Sequence, residues 1–152
     1  MLFFAIEGNS LFSAHLAPTH HEQAEKKEIE YKFLEAARGI TKEGIQASFQ
    51  TYQSSDGETI SIRTEFFRSV ADMESQFVTT LKGLAEIITS SGITDDNDNV
   101  IGRRISGKAF PDELGQERYC VIWTHSNEIS YIESKSLNHA LDFEKKFYTS
   151  KR

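Results

Sequence analysis

Apolar residues recur along the chain with two different spacings, and the first long segment has the helical one. Thr19 and Glu22 stand three positions apart, which is the pattern of a helix capping box. Behind them, apolar residues follow three or four positions apart, at Ile29, Phe33, Ala36, Ala37 and Ile40. The pattern predicts a helix over about 19–40. Tyr31 and Leu34 fall on its other side, as isolated exposed residues or as an association surface.

The next segment alternates instead, and an Asp-Gly pair divides it into two strands, 44–53 and 58–68. Asp-Gly is a preferred pair for a two-residue type I′ hairpin turn. Such a turn would pair apolar positions across the strands: Thr51 with Ile62, Phe49 with Thr64, and Ala47 with Phe66. The other face, either solvated or lining a polar site, would carry Gln46, Ser48, Gln50, Arg63 and Glu65.

A second helix is predicted from the capping pair Ser69 and Asp72, with an apolar stripe that runs on to Ile88. The acidic segment 94–99 invites a calcium interpretation. It lacks the glycine and the final glutamate of an EF-hand loop, so it predicts a plain turn.

The last third predicts a meander of three strands, over 100–110, 118–124 and 128–133, followed by a helix from Ser134 or Ser136. At the other end, the apolar runs Leu2–Ile6 and Leu11–Leu16 flank Gly8-Asn9. They predict a hairpin or appendage over residues 1–17.

Together these elements predict a single α+β domain over 1–152, in which an antiparallel sheet of about five to seven strands packs against three helices. By element order alone, this arrangement resembles PsbP-like sandwiches, in which helices flank an antiparallel sheet, or a ferredoxin-like relative. No motif of either family carries the resemblance.

Composition narrows the class of function. The formal net charge is -6, and no block of Lys and Arg offsets it, which argues against nucleic acid as a partner. No apolar run is long enough to insert into a membrane. Glu7 interrupts the N-terminal apolar stretch and disfavours a secretory signal. The cytoplasm is the default compartment, with an exported mature form as the alternative.

The chemistry-bearing residues form no familiar motif. The one cysteine, Cys120, has apolar strand neighbours, which indicates an inert core thiol. The histidine spacing fits no metal site, and the glycines form no cofactor cradle, so neither a metal nor a cofactor is predicted. Arg104 and Lys108 lie at strand positions that share a face, as an anion site or as a guard against aggregation.

Two functions remain open. The first is a non-catalytic binding or accessory module that acts through protein–protein or small-ligand contacts, with Tyr31 and Leu34 at an interface with a protein partner or a second copy. The alternative is a small enzyme with a site on the polar face of the sheet. Whether the protein is an enzyme is left open, with the binding module favoured. The candidate ligand-binding residues are Arg63, Glu65, Arg104, Lys108 and His125.

Overall fold

The computed structural model describes residues 27–148, which form one seven-stranded antiparallel sheet with a helix on each face. In chain order the elements are β1 (Tyr31–Ile40), β2 (Gln46–Ser54), β3 (Thr59–Phe66), α1 (Val70–Lys82), β4 (Leu84–Thr94), β5 (Val100–Ala109), β6 (Arg118–His125), β7 (Glu128–Ser134) and α2 (Leu137–Phe147). The strand order across the sheet is β1-β2-β3-β7-β6-β5-β4. The edges of the described sheet are therefore β1 and β4.

Each helix buries its apolar stripe against a different face of the sheet. On the α1 face, Met73 and Phe77 pack against a cluster that includes Ile105, Ile122 and Tyr131. On the α2 face, Ala140 and Phe143 pack against Ile60, Ile62, Val121 and Ile132. The central strands β6 and β7 are largely buried on both faces, and the continuous apolar run Tyr119–Trp123 of β6 is typical of such a strand.

The helix predicted over 19–40 is wrong for its described part, because Tyr31–Ile40 is the edge strand β1. Its apolar spacing does not reflect burial, since residues 32–40 are all exposed. The strand state comes from a ladder with β2 and from Tyr31, whose hydroxyl donates to Asp142 of α2 at 3.0 Å. A non-local contact overrides the local helical pattern here.

The second predicted helix begins as expected but ends early. Ser69 Oγ accepts the N–H of Asp72 at 3.1 Å and caps α1. The helix stops at Gly83, and the rest of the predicted stripe becomes β4, which pairs with β5. Ile87, Ile88 and Thr89 are β-branched residues that favour a strand.

The predicted hairpin register is off by one residue. The loop has three residues, Ser55 to Gly57, because Ser54 N–H bonds to the Glu58 carbonyl at 2.8 Å. Gly57 has φ of 95° and is the positive-φ residue of this loop, whereas a type I′ turn needs a positive φ at Asp56 as well. The partners of Ala47, Phe49 and Thr51 are therefore Glu65, Arg63 and Ser61. A one-residue slip moves Arg63 and Glu65 to the other face.

The meander is confirmed, with β5, β6 and β7 adjacent and antiparallel. The closing helix begins at Leu137, after Ser136 as its cap. The fold-class prediction needs correction in its helix count: within residues 27–148 the sheet packs against two helices, not three. The hairpin predicted over 1–17 lies outside the described residues.

Candidate functional site

The five candidate ligand-binding residues lie at three separate places. Arg63 and Glu65 are neighbours on the α1 face of β3, where their ladder partners are Tyr131 and Ile129. Arg104 and Lys108 share the opposite face, on β5, as the alternation predicted. His125 lies at the β6–β7 turn and is exposed. The structure therefore brings Arg63 and Glu65 together, whereas Arg104 and Lys108 share a face but lie about 13 Å apart along β5, four residues from each other.

Arg63 and Glu65 form a partly buried ion pair over Tyr131. The Arg63 Nε lies 3.3 Å from Glu65 Oε1 without the alignment of a hydrogen bond. Its guanidinium carbon sits 4.1 Å from the centre of the Tyr131 ring, a cation–π contact. The Tyr131 hydroxyl donates to Glu65 Oε2 at 2.9 Å and lies 3.2 Å from the Thr80 hydroxyl of α1. The carboxylate is thus held by groups on β3 and β7, and Thr80 of the helix contacts the hydroxyl that donates to it.

Burial determines the acid–base character of this cluster. Glu65 is 3% exposed, and desolvation raises its pKa, although the Arg63 charge and the Tyr131 hydrogen bond oppose the rise. Desolvation also raises the pKa of Tyr131 well above its ordinary value. The Arg63 side chain is 36% exposed, so it connects the buried carboxylate to solvent.

The other basic candidates are engaged in ion pairs. Arg104 holds Glu144 of α2 in a two-pronged contact of 2.6 and 2.5 Å, and this hydrogen bonding raises the pKa of Arg104. Lys108 pairs with Glu117 near the β5–β6 loop. In both cases the basic side chain already forms an ion pair with a glutamate of the same chain.

A histidine that the sequence interpretation did not select joins the β2–β3 turn to α2. His139 Nε2 lies 2.9 Å from both carboxylate oxygens of Asp56, and Ser54 Oγ donates to Asp56 Oδ1 at 2.5 Å. These hydrogen bonds, first that of Ser54 and then that of His139, lower the pKa of Asp56. Because the carboxylate lies between serine and histidine, the group lacks the serine–histidine bond of a hydrolase triad. These contacts link the β2–β3 turn to α2.

A groove of about 940 Å³ lies at the β1 end of the sheet. It is lined by residues of β1, β2 and Phe66 of β3. The side chains that share the α2 face, by their ladder pairing with Ile62, are Ala36, Arg38, Ile40, Gln46, Ser48, Gln50 and Phe66. We call this opening the α2-face groove. A second opening of about 530 Å³ adjoins it and shares Ile40, Gln46 and Phe66.

The groove combines three kinds of chemistry. Gln46, Ser48 and Gln50 offer neutral donors and acceptors from consecutive same-face positions of β2. Ile40 and Phe66 are 70% and 41% exposed at one end. Arg38 provides the charged group of the lining. The sequence pattern predicted one polar face that carries Gln46, Ser48, Gln50, Arg63 and Glu65. The three β2 residues of this set line the groove, whereas Arg63 and Glu65 do not.

The two interface candidates have different surroundings from those expected for a helix. Tyr31 packs edge-on against Phe143 of α2, with ring centres 5.0 Å apart. Leu34 lies at a bulge of β1 and is 47% exposed. Tyr31 is thus an internal anchor of β1, whereas Leu34 faces solvent.

Cys120 is buried on the α1 face, where desolvation raises the pKa of its thiol to about 11. Across residues 27–148, no three His, Cys, Asp or Glu side chains converge in a way that would hold a metal ion. Neither helix in this range has the length and apolar character needed to cross a membrane.

A scan against protein-family models found no match to the chain, and comparisons with curated proteins and with solved structures found none either.

Proposed function

We propose that this protein is a non-catalytic binding module that holds an extended segment of a protein partner in the α2-face groove. The observation that carries the proposal is the lining of the groove. Apolar Ile40 and Phe66 are exposed beside a row of amide and hydroxyl side chains. Exposed apolar surface rimmed by polar groups is typical of an interaction site.

The lining also indicates the chemistry of the partner. Glutamine and serine side chains can both donate to and accept from the backbone of an extended peptide. Arg38 favours a carboxylate, and Ile40 with Phe66 favours an apolar side chain. A segment that combines acidic and apolar residues therefore fits this groove best.

The test uses two sets of ten-residue peptides: one combines Leu or Phe with Asp and Glu, and in the other Lys replaces the acids. Binding is measured by fluorescence polarisation. We expect the acidic set to bind more tightly and Ser48→Trp, which fills the groove, to weaken its binding at least about tenfold. The matched control is Thr51→Trp, on the same strand but on the α1 face, and it should leave binding unchanged.

Two results would contradict the proposal. One is that no acidic peptide binds. The other is that Ser48→Trp and Thr51→Trp weaken binding equally, because a segment seated in the groove must sense Ser48 more than Thr51.

The alternative of a small enzyme has one observation in its favour, the buried Glu65 with a raised pKa next to Tyr131. Both oxygens of this carboxylate already face partners, Arg63 and the Tyr131 hydroxyl. The pairing favours a structural role, so the binding module remains the proposal.

A further inference from the structure

The described chain starts on the same face of the sheet as the α2-face groove. Glu28 pairs with Lys146 of α2 at 3.3 Å, and the Lys146 ammonium also donates to the Ile29 carbonyl. Tyr31, the first residue of β1, packs its ring against Phe143 of the same helix. The chain therefore reaches β1 from the side that α2 and the groove share.

Arg38 is the charged side chain of the groove lining, and its charge is unpaired within the described chain. Four other arginines each contact a carboxylate at 3.3 Å or less: Arg63, Arg103, Arg104 and Arg118. Across residues 27–148, Arg38 has no such contact. A guanidinium forms its strongest hydrogen bonds with a carboxylate. The groove therefore favours an acidic segment from outside these residues.

Two apolar runs precede the described residues, and they differ in charge. Leu2–Ile6 is followed at once by Glu7, whereas Leu11–Leu16 contains no acidic residue. The first run thus has the combination of apolar and acidic side chains that the groove lining favours. We infer that Leu2–Glu7 occupies the α2-face groove of its own chain and competes there with the protein partner.

The groove lies within reach of this segment. Its lining extends along β1 from Ala36 to Ile40. Ile40 is nine strand positions beyond Tyr31, which corresponds to about 30 Å. Glu7 precedes Lys27 by 20 positions. A chain of that length spans up to about 66–72 Å when extended, so Leu2–Glu7 can lie anywhere along the groove.

The spacing of the side chains also agrees with the lining. In an extended segment, Phe3, Ala5 and Glu7 share one face, with Phe3 and Glu7 about 13 Å apart. On the sheet, Arg38 and Phe66 are separated by two strands and two ladder positions, which is about 12 Å. Glu7 can therefore pair with Arg38 while Phe3 packs on Phe66. The small Ala5 then lies over β2.

Tethering favours the chain's own segment over a free partner. Two binding elements joined by a short linker meet at an effective concentration in the millimolar range. A partner must then displace the segment, and its apparent affinity falls with the fraction of grooves that stay open. This regulation rests on the proposed function, whereas the seating of the segment in the groove does not.

The seating is tested in the full chain with a short bis-maleimide, which joins thiols that lie close together. Ala5→Cys is combined with Ser48→Cys in the groove. In the matched control it is combined with Thr51→Cys, a similarly buried position of β2 on the α1 face. The native Cys120 is buried and takes no part.

We expect an internal cross-link with Ser48→Cys, at the mass of one 17.3 kDa chain, and little with Thr51→Cys. Equal cross-linking of the two pairs overturns the inference, and so does the absence of a cross-link to Ser48→Cys. A product of twice the chain mass also overturns it, because the segment would then lie on another copy.

Competition is measured by fluorescence polarisation with the acidic ten-residue peptides. Phe3→Ser should open the groove and tighten peptide binding about tenfold or more. The matched control Phe12→Ser removes a phenylalanine from the other apolar run and should leave binding unchanged. Equal effects of the two substitutions overturn the inference. If no acidic peptide binds even the Phe3→Ser chain, the proposed function fails, while the cross-link still decides where the segment lies.

Discussion

Replacing Arg63 by methionine removes the cation paired with Glu65 and keeps an apolar side chain over the Tyr131 ring. Removing one partner of a buried ion pair costs about 3–5 kcal/mol, because the other charge is left uncompensated. Glu65 is 3% exposed but keeps its hydrogen bond from Tyr131 at 2.9 Å, and Arg63 is 36% exposed. We therefore expect a smaller loss, about 2–3 kcal/mol at pH 7.

The cost of Arg63→Met should depend on pH in a defined direction. Because burial raises the pKa of Glu65, the folded protein holds this proton more tightly than the unfolded chain does. The resulting stabilisation is complete below the ordinary pKa of glutamate and is lost as the pH rises through the raised pKa. Removing Arg63 takes away a charge that lowers this pKa, so the loss widens toward neutral pH. The cost should be largest at pH 7 and shrink toward about pH 4.

The assay is urea unfolding, followed by the fluorescence of Trp123, at both pH values for the wild type, Arg63→Met, Glu65→Gln and the double variant. The double variant leaves no buried charge unpaired and should lie within about 1 kcal/mol of the wild type. The reasoning is refuted if Arg63→Met costs the same with and without Glu65→Gln. It is refuted equally if its cost does not change with pH.

Two further predictions concern the sheet. Gly102→Ala should lower the free energy of unfolding, measured by urea unfolding, by more than about 2 kcal/mol. The added Cβ would lie 2.1 Å from the backbone carbonyl oxygen of Thr124, which cannot move aside as a flexible side chain could. The control Gly92→Ala meets a Val100 side chain at 3.6 Å, an ordinary contact, and equal stability of the two variants would contradict the expectation. The Cys120 thiol, with its pKa raised to about 11, should resist a thiol reagent at neutral pH until urea unfolds the protein, and rapid labelling of the folded protein would contradict this.

The elements that sequence patterns predicted correctly are those whose signals are local. Ser69 and Ser136 are the caps of the two helices, and each accepts a backbone N–H three residues ahead. β6 is apolar on both sides because both helices cover it, so its residue types alone indicate a central strand. In these segments, the physical cause of the structure lies within a few neighbouring residues.

The two edge strands were missed because their residue patterns do not record burial. Residues 32–40 are all exposed, so their helical spacing carried no information about a core. The residue pattern of β4 is equally uninformative, because Ile93 is its one buried residue. The strand state at both edges depends on a neighbouring strand, which a local pattern does not contain.

The faces on which the candidate residues lie depend on whether the β2–β3 loop has two or three residues. Asp-Gly fits a two-residue turn, and it equally fits the last two positions of a three-residue loop that ends in a positive-φ glycine. Contacts of Asp56 with His139 of α2, 83 positions later, accompany the longer loop. That choice puts Arg63 and Glu65 beside Tyr131, and leaves Gln46, Ser48 and Gln50 to line the groove. Sequence reasoning therefore selected residues on β2 and β3, but the face that each occupies follows from the three-residue loop, which the Asp-Gly pair alone does not specify.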